Sequence, residues 1–339
     1  MTKPSNGSAK RLIRVDPFIV ALVLAAGLGF VLPARGEAAT AVGVLTKASI
    51  ALLFFFQGVR LQRDAVISGL THWRLQLLTL ASTFVLFPLL GIASRAVMPG
   101  LLDSALWLGV LYLCVLPSTV QSSIAFTAIA KGNVPAAICA ATASNLLGIV
   151  ITPLLVAGLL GLHGGTASPL HQIQSIVMQL LVPFIAGQIA SRWLRPWATR
   201  HPKLLTITDR GSIILVVYAA FSAAVLSGVW EGIAWVDLLK LLLLSVVLLG
   251  VVLTTTTYVS RALRFTREDE ISIVFCGSKK SLATGVPMAN VLFPAATVGL
   301  VILPVMLFHQ LQLIVCAFLA RRYAERAAAL QPQTGTRLT

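Results

Sequence analysis

The residues Phe275-Cys-Gly-Ser-Lys-Lys-Ser-Leu-Ala-Thr-Gly285 are the most informative in this sequence, because they include Lys279 and Lys280 in the middle of a long apolar segment. A lysine at the centre of a membrane helix costs about 2.5 to 3.5 kcal/mol, so two require water or hydrogen-bond acceptors around them. The alternative is a shifted helix whose lysines reach out to the membrane surface. The first interpretation predicts a membrane helix that is interrupted at a functional site.

The composition around this stretch is that of a membrane protein. The 339 residues are 57% hydrophobic and 11% charged, with a mean hydropathy of +0.91. A typical soluble domain is about 25% charged, so this chain lacks the charged surface that a water-soluble globule needs. The sequence therefore predicts an all-α integral membrane protein.

Apolar segments long enough to cross a bilayer recur along the chain. We predict about ten transmembrane helices, over residues 17–33, 41–58, 74–97, 105–130, 134–161, 173–191, 211–229, 237–259, 270–292 and 295–320. The segment 18–32 is interpreted as the first helix and not as a cleaved signal peptide, because it leads into further apolar sequence.

The basic residues indicate the orientation. Of the 26 lysines and arginines, 20 fall on alternate connections and in the tails. By the positive-inside rule, that side is cytoplasmic and holds both termini. The absence of a transit peptide and the short tails favour a multi-pass protein of the cell inner (plasma) membrane over one of an organelle. The net charge of +15 reflects this topology, and no nucleic acid partner is expected.

Residues that carry catalysis or bind metals are not clustered in the sequence. Cys114, Cys139, Cys276 and Cys316 lie in apolar segments without a CxxC pair, and the histidines have no HExxH or i, i+4 partner. We therefore expect no enzyme activity, no metal and no cofactor.

The fourth predicted span carries a second interruption. Pro117 removes a backbone donor there, and five polar side chains follow it closely: Ser118, Thr119, Gln121, Ser122 and Ser123. Freed backbone groups at membrane depth need side chains, water, an ion or a substrate as partners. A kinked helix whose hydroxyl groups bond to neighbours is an equal alternative from this segment alone.

The two interruptions occupy corresponding places, in the fourth and the ninth spans. Five spans per half is an odd number, so the second half must enter the membrane inverted. We predict a first repeat over residues 1–161, a second over residues 162–320 and a cytoplasmic tail over residues 321–339. Paired broken helices in an inverted repeat indicate a transporter with its site at the midplane.

Five stretches together resemble the bile acid:sodium symporter superfamily, most closely the branch that contains solute carrier family ten, member seven, and its bacterial relatives. They are residues 55–61, 117–123, 132–134, 142–145 and 277–281. The resemblance implies a panel domain of spans 1, 2, 6 and 7 and a core domain of spans 3–5 and 8–10, in which discontinuous fourth and ninth helices cross.

The resemblance also implies where ions or substrates bind. In sodium-coupled members, ligands come from the crossing and from the fifth span, which correspond here to Ser122, Ser123 and the stretches 137–145 and 276–280. Combined with the two interruptions, this gives a substrate or ion site of thirteen residues: Ser118, Thr119, Gln121, Ser122, Ser123, Thr142, Ser144, Asn145, Ser278, Lys279, Lys280, Ser281 and Thr284.

This sequence departs from the sodium-coupled pattern, because every aspartate and glutamate falls near a helix end or in a loop. Two lysines would repel a sodium ion bound by neutral oxygens alone. Our hypothesis is that Lys279 or Lys280 supplies the positive charge in its place, with Na⁺ or H⁺ coupling left open. Neighbouring residues on a helix point about 100° apart, so only one lysine reaches the crossing unless the backbone is unwound.

The sequence thus predicts an alternating-access secondary transporter of an amphipathic organic anion, in contact with membrane lipid, as a monomer or weak homodimer. Two alternatives stay open. One is a sodium-coupled symporter with unusual ligands, and the other is a regulatory membrane protein that affects calcium homeostasis without carrying a substrate.

Overall fold

The computed structural model describes residues 17–60, 72–160, 177–228 and 233–329, and every regular element in these ranges is helical. The α-helices, numbered in chain order, are α1 (Pro17–Val31), α2 (Glu37–Arg60), α3 (Trp73–Ala81), α4 (Phe87–Val97), α5 (Ser104–Val115), α6 (Gln121–Ile129), α7 (Val134–Leu160), α8 (Val182–Arg200), α9 (Pro202–Leu226), α10 (Trp235–Ala262), α11 (Arg267–Gly277), α12 (Leu282–Leu292) and α13 (Ala295–Ala329). Two short π-helical segments join them, Ser82–Leu86 between α3 and α4 and Val177–Leu181 before α8.

Six helices of the described part are long and apolar enough to cross a membrane, if α3, the π-helical segment and α4 are counted as one continuous helix. They are Glu37–Arg60, Trp73–Val97, Val134–Leu159, Pro202–Leu226, Trp235–Ala262 and Ala295–Ala327. Val20–Val31 and Ser104–Val115 are apolar but shorter. The described part is therefore all-helical, and the chain is an integral membrane protein. The count of ten spans, the two repeats and the panel and core domains stay predictions.

Several predicted helix ends are wrong. We predicted spans that end at residues 191 and 320, but α8 continues to Arg200 and α13 to Ala329. The next helix begins directly at Pro202, where His201 leaves the helical conformation. Arginines can extend a helix beyond the bilayer because their charge is solvated there. Of the predicted connections 59–73 and 162–172, residues 61–71 and all of 162–172 lie outside the described residues.

Helices α2 and α8 pack backbone against backbone. A Cβ atom added at Gly58 would overlap the carbonyl oxygen of Phe184, and one added at Gly187 would overlap the carbonyl oxygen of Phe55. Small residues at a helix contact allow the two backbones to come this close. Such packing matters in a membrane, because the hydrophobic effect gives little attraction between helices there. These two glycines thus fix the spacing of the pair.

Ion pairs between charged side chains link neighbouring helices near their ends. Arg60 on α2 binds both carboxylate oxygens of Asp209 on α9 at 2.7 Å. The predicted span 211–229 put Asp209 just before a helix, whereas Asp209 lies within α9, which begins at Pro202. The buried Glu270 on α11 accepts hydrogen bonds from Arg261 on α10 and from the Tyr323 hydroxyl on α13. Both clusters lie near the ends of long helices, away from the two interruptions.

Candidate functional site

The structure interrupts the helical backbone at both places where the sequence indicates it. Helix α5 ends at Val115, and Leu116 is extended (φ −69°, ψ 151°), as a residue before proline prefers. Helix α6 begins at Gln121. The second break follows Gly277, and Ser281 caps the next helix by accepting a hydrogen bond from the amide of Thr284 at 3.2 Å. We call residues 116–120 and 278–281 the two breaks.

The two breaks are hydrogen-bonded to each other, and the first break is also hydrogen-bonded to the end of α11. The amide of Ser281 donates to the carbonyl of Pro117 at 2.9 Å. The Ser118 hydroxyl donates to the carbonyl of Cys276 at 2.5 Å, and the Ser123 hydroxyl to that of Phe275 at 3.0 Å. The side chains after Pro117 therefore satisfy carbonyls that end α11. We call this place the crossing.

Helix α7 contributes two polar side chains that also join the breaks. The amide of Ser118 donates to the Ser144 hydroxyl at 3.0 Å. Asn145 donates through Nδ2 to the carbonyl of Ser118 at 2.5 Å and accepts at Oδ1 from the Thr284 hydroxyl at 2.7 Å. One carboxamide thus links the first break to the helix that follows the second.

Lys280 is the best-satisfied cation of the crossing. Its side chain is 1% exposed, and Nζ donates to the carbonyls of Thr83 at 2.8 Å, Cys114 at 2.8 Å and Leu116 at 2.7 Å. An ammonium group has three N–H donors, so all are used. Nζ also lies 4.1 Å from the centre of the Phe87 ring. Lys280 therefore holds together the first break and the π-helical segment that precedes α4.

Lys279 points to another part of the crossing. It is completely buried, and Nζ donates to the carbonyl of Ser122 at 2.8 Å. The ring centres of Phe126 and Phe275 lie 4.0 and 5.3 Å from the same nitrogen, in the range of cation–π attraction. Both lysine side chains are buried within the protein. Both contact the region of the first break because residues 278–281 are unwound, so the 100° separation of a helix does not apply.

Other predicted site residues have less direct roles. Thr119 shares its hydroxyl with those of Ser122 and Ser123, at 2.7 and 3.0 Å, and the Ser278 hydroxyl donates back to the carbonyl of Val274 in α11. The described residues give no hydrogen bond to the side chains of Gln121 and Thr142, which are exposed and half-buried. The structure thus brings eleven of the thirteen predicted residues into one hydrogen-bonded cluster or its edge and leaves these two beside it.

Sequence analysis missed several partners. Gln312 of α13 is completely buried and bonds to the backbone of Lys280, and the Tyr112 hydroxyl donates to the carbonyl of Gly285 at 2.6 Å. Ser82 donates to the carbonyl of Gly277 and Thr152 to that of Val115. Gln312 could have been found, because a carboxamide inside an apolar span needs a partner. The carbonyl acceptors carry no residue-specific signal.

The electrostatics of the crossing favour negative ligands. It holds two ammonium groups and the N-terminal ends of α6 and α12, which carry positive partial charge. Within the described part of the crossing no aspartate or glutamate balances them, and no group of three metal-ligating side chains occurs among the described residues. The arrangement can stabilise an anion or fix the helices in the absence of a metal cation. It presents no nucleophile with an adjacent base.

Broken apolar helices that meet at buried charges define a multi-pass membrane transport protein. Comparison with known families agrees, since residues 16–325 match the model of the SBF-like CPA transporter family. The chain belongs to this family, consistent with the bile acid:sodium symporter superfamily. It is a secondary transporter and not an enzyme.

Individual relatives match over almost their whole length. The chain is 54% identical over 319 residues to an uncharacterized protein of Pseudomonas aeruginosa, covering 93% of this chain and 96% of the relative. It is 49% identical over 324 residues to YfeH of Escherichia coli, which is named as a symporter, covering 95% and 97%. It is 26% identical over 341 residues to sodium/bile acid cotransporter 7 of Rattus norvegicus, covering 96% and 97%.

The carboxamide of Asn145 gives a first prediction. Asn145→Leu leaves the carbonyl of Ser118 and the hydroxyl of Thr284 without this partner, so the free energy of unfolding should fall by about 2 kcal/mol. Thr142→Val, one turn earlier on α7, is the control and should change it by less than about 0.5 kcal/mol. Thermal unfolding of the purified proteins measures both. Equal, small effects of the two substitutions would contradict the linking role of Asn145.

Proposed function

We propose that this protein carries an amphipathic organic anion across the cell inner membrane by alternating access, with fixed ammonium groups in place of a bound sodium ion. The proposal includes ten spans in two inverted repeats, with both termini in the cytoplasm. The crossing moves as part of the core relative to the panel. Its substrate or ion site comprises the polar residues around the two breaks.

One observation carries the proposal. Nζ of Lys280 lies within 2.8 Å of the carbonyl oxygens of Thr83, Cys114 and Leu116. Three carbonyl oxygens around a buried positive charge resemble the environment that oxygen ligands give to a metal cation. A covalently attached ammonium group does not dissociate during a transport cycle. Lys280 thus supplies the charge that would hold the crossing together without an ion.

Lys279 is the better candidate for contact with a substrate. It bonds one carbonyl, that of Ser122, and its other close neighbours are the rings of Phe126 and Phe275. Cation–π contacts contribute about 0.5 to 2 kcal/mol, less than a charge-assisted bond to an anionic group in the same dry site. An anion can therefore displace these rings when the crossing opens, whereas displacement of Lys280 would break three hydrogen bonds.

The substrate class rests on charge and on relatives. The crossing carries two positive charges, and its aromatic and apolar surroundings suit the hydrophobic part of an amphipathic molecule. The rat relative is named a sodium/bile acid cotransporter, which places bile acids among the probes to be tried first. The E. coli relative is named as a symporter, which agrees with secondary transport.

Uptake into liposomes that contain only this protein tests the proposal. We expect entry of a labelled bile acid or of another amphipathic carboxylate or sulfonate from a defined panel. Lys279→Gln should reduce the initial rate at least about tenfold, through loss of a charge-assisted interaction of about 1.4 kcal/mol or more. Lys240→Gln, which removes an exposed lysine paired with Asp237, should leave the rate within twofold of the wild type.

The outcomes separate the function classes. Uptake of an anion that depends on Lys279 supports the carrier. Folded protein that takes up no member of the panel would contradict it and favour the regulatory alternative, which affects calcium homeostasis through partners. Uptake that requires external sodium would favour a sodium symporter with unusual ligands.

A further inference from the structure

The side-chain carboxamide of Gln312 makes the hydrogen bonds that a backbone peptide group would make at the second break. The amide of Lys280 donates to Oε1 of Gln312 at 2.8 Å, and Nε2 of Gln312 donates to the carbonyl of Lys280 at 2.9 Å. A backbone N–H can only donate and a backbone carbonyl can only accept. The orientation of this buried carboxamide is therefore fixed by the backbone.

The orientation of the Gln312 carboxamide determines which ring nitrogen of His309 carries the proton. The second N–H of Gln312 Nε2 points at Nδ1 of His309, 2.9 Å away and one turn earlier on α13. Nδ1 must accept this hydrogen bond, so it carries the lone pair, and the neutral ring has its proton on Nε2. His309 is half-buried, whereas Gln312 and both lysines of the crossing are completely buried.

We propose that His309 is a proton-binding site of this carrier, and that a proton on its Nδ1 opens the clamp of Gln312 on the second break. A protonated ring donates from both nitrogens, so an N–H group would face the N–H of Gln312. Turning the carboxamide over does not help, because its NH₂ group would then face the backbone N–H of Lys280. No orientation of Gln312 satisfies both neighbours, and the segment around Lys280 is released. The inference rests on the proposed function, for which it names the coupling ion.

The positive charges near His309 add to the destabilisation of the second break when His309 is protonated. Titratable groups in the middle of the helices packed around α13, and in or beside the breaks, are Tyr112, Cys114, Tyr218, Cys276, Lys279, Lys280 and Cys316. The ammonium of Lys280 is turned toward its three carbonyls, and that of Lys279 toward Ser122. A protonated His309 thus adds a third positive charge to a region that already holds two.

Carboxylates on the neighbouring helices are bonded elsewhere. Asp209 on α9 pairs with Arg60, Asp237 on α10 pairs with Lys240, and Glu270 on α11 pairs with Arg261. The remaining charged or titratable groups of these helices lie toward their ends or at the exposed face of α10: Lys203, Arg210, Tyr258, Arg267, Glu268 and Asp269. On α13 itself the charged residues begin at Arg321, about 18 Å along the helix from His309.

Hydrogen–deuterium exchange of the backbone amides around residues 277–284 tests the site without a substrate. In protein reconstituted into lipid nanodiscs, exchange corrected for the intrinsic chemical rate should be about tenfold faster at about pH 5.5 than at about pH 7.5. His309→Gln should exchange slowly at both pH values, because its side-chain oxygen accepts the hydrogen bond from Gln312 and does not titrate. His201→Gln, whose ring contacts the carbonyl of Trp197, is the control and should behave as the wild type.

A second variant ensures that the experiment is decisive. Gln312→Ala removes the clamp, so exchange should be fast at both pH values and independent of His309. Wild-type exchange that does not change with pH, or a pH dependence that persists in His309→Gln, would overturn the proton site. Anion uptake combined with exchange that is independent of pH would leave the carrier intact and remove only this inference. A pH response of the break without any uptake would keep the proton site and contradict the proposed function.

Discussion

Lys280→Met is expected to lower the free energy of unfolding by about 3 kcal/mol or more, because it leaves three buried carbonyls without a donor. Each unsatisfied buried group costs about 1 to 3 kcal/mol, and the carbonyls of Thr83, Cys114 and Leu116 all lose the same partner. Methionine has nearly the volume of lysine, so the substitution tests the ammonium group and not a cavity. Thermal or denaturant unfolding in detergent measures the change.

Lys240→Met is the matched control for this substitution. Lys240 forms a partly exposed ion pair with Asp237 near the start of α10, and such pairs contribute about 0 to 1 kcal/mol. A similar small effect of both substitutions would show that Lys280 does not stabilise the crossing. Lys280→Arg should also be harmful, since the planar guanidinium cannot place three donors where the ammonium does.

Gly187→Ala is expected to destabilise the pair formed by α2 and α8 by about 3 kcal/mol. The added methyl group would overlap the carbonyl oxygen of Phe55, and a helical backbone cannot move aside as a flexible side chain can. Overpacking in a core costs about 1 to 3 kcal/mol, and the backbone contact here favours the upper end. The midpoint of thermal unfolding and the yield of folded protein measure the effect.

Gly43→Ala, on the other helix of the same pair, is the control. A Cβ atom at Gly43 would meet nothing within 4 Å, so this substitution should be neutral or slightly stabilising through higher helix propensity. Gly58→Ala should resemble Gly187→Ala, because its methyl group would overlap the carbonyl of Phe184. Equal tolerance of all three substitutions would show that α2 and α8 are not held at this distance.

The helical membrane class and the two breaks could be predicted because single residues reveal them. Pro117 cannot continue α5, and Lys279 and Lys280 cannot lie in lipid without partners. The ends of α8, α9 and α13 were predicted less well, since hydropathy marks where a helix leaves the apolar layer and not where its hydrogen bonds end. Asp209 was placed outside a helix for the same reason.

The partners within the site could not be predicted in the same way. Lys280 bonds to three carbonyl groups, and every residue has one, so no pattern in the sequence points to Thr83, Cys114 or Leu116. The expectation that a single lysine reaches the crossing assumed a regular helix. The structure unwinds residues 278–281, and Gln312 replaces the lost backbone partner from a helix more than thirty residues away in sequence. Such contacts follow from tertiary packing.

The response of the purified protein to sodium shows whether the ammonium group of Lys280 takes the place of a bound ion. Thermal unfolding of the wild type and of Lys280→Ala, which removes the ammonium group and leaves space among the three carbonyls, is compared in sodium chloride and in choline chloride at equal ionic strength. If the fixed ammonium holds the place of the ion, sodium leaves the wild type unchanged and raises the unfolding temperature of Lys280→Ala, whose carbonyls are free to bind it. If sodium stabilises the wild type and the variant alike, the ammonium does not replace the ion, and the account is wrong.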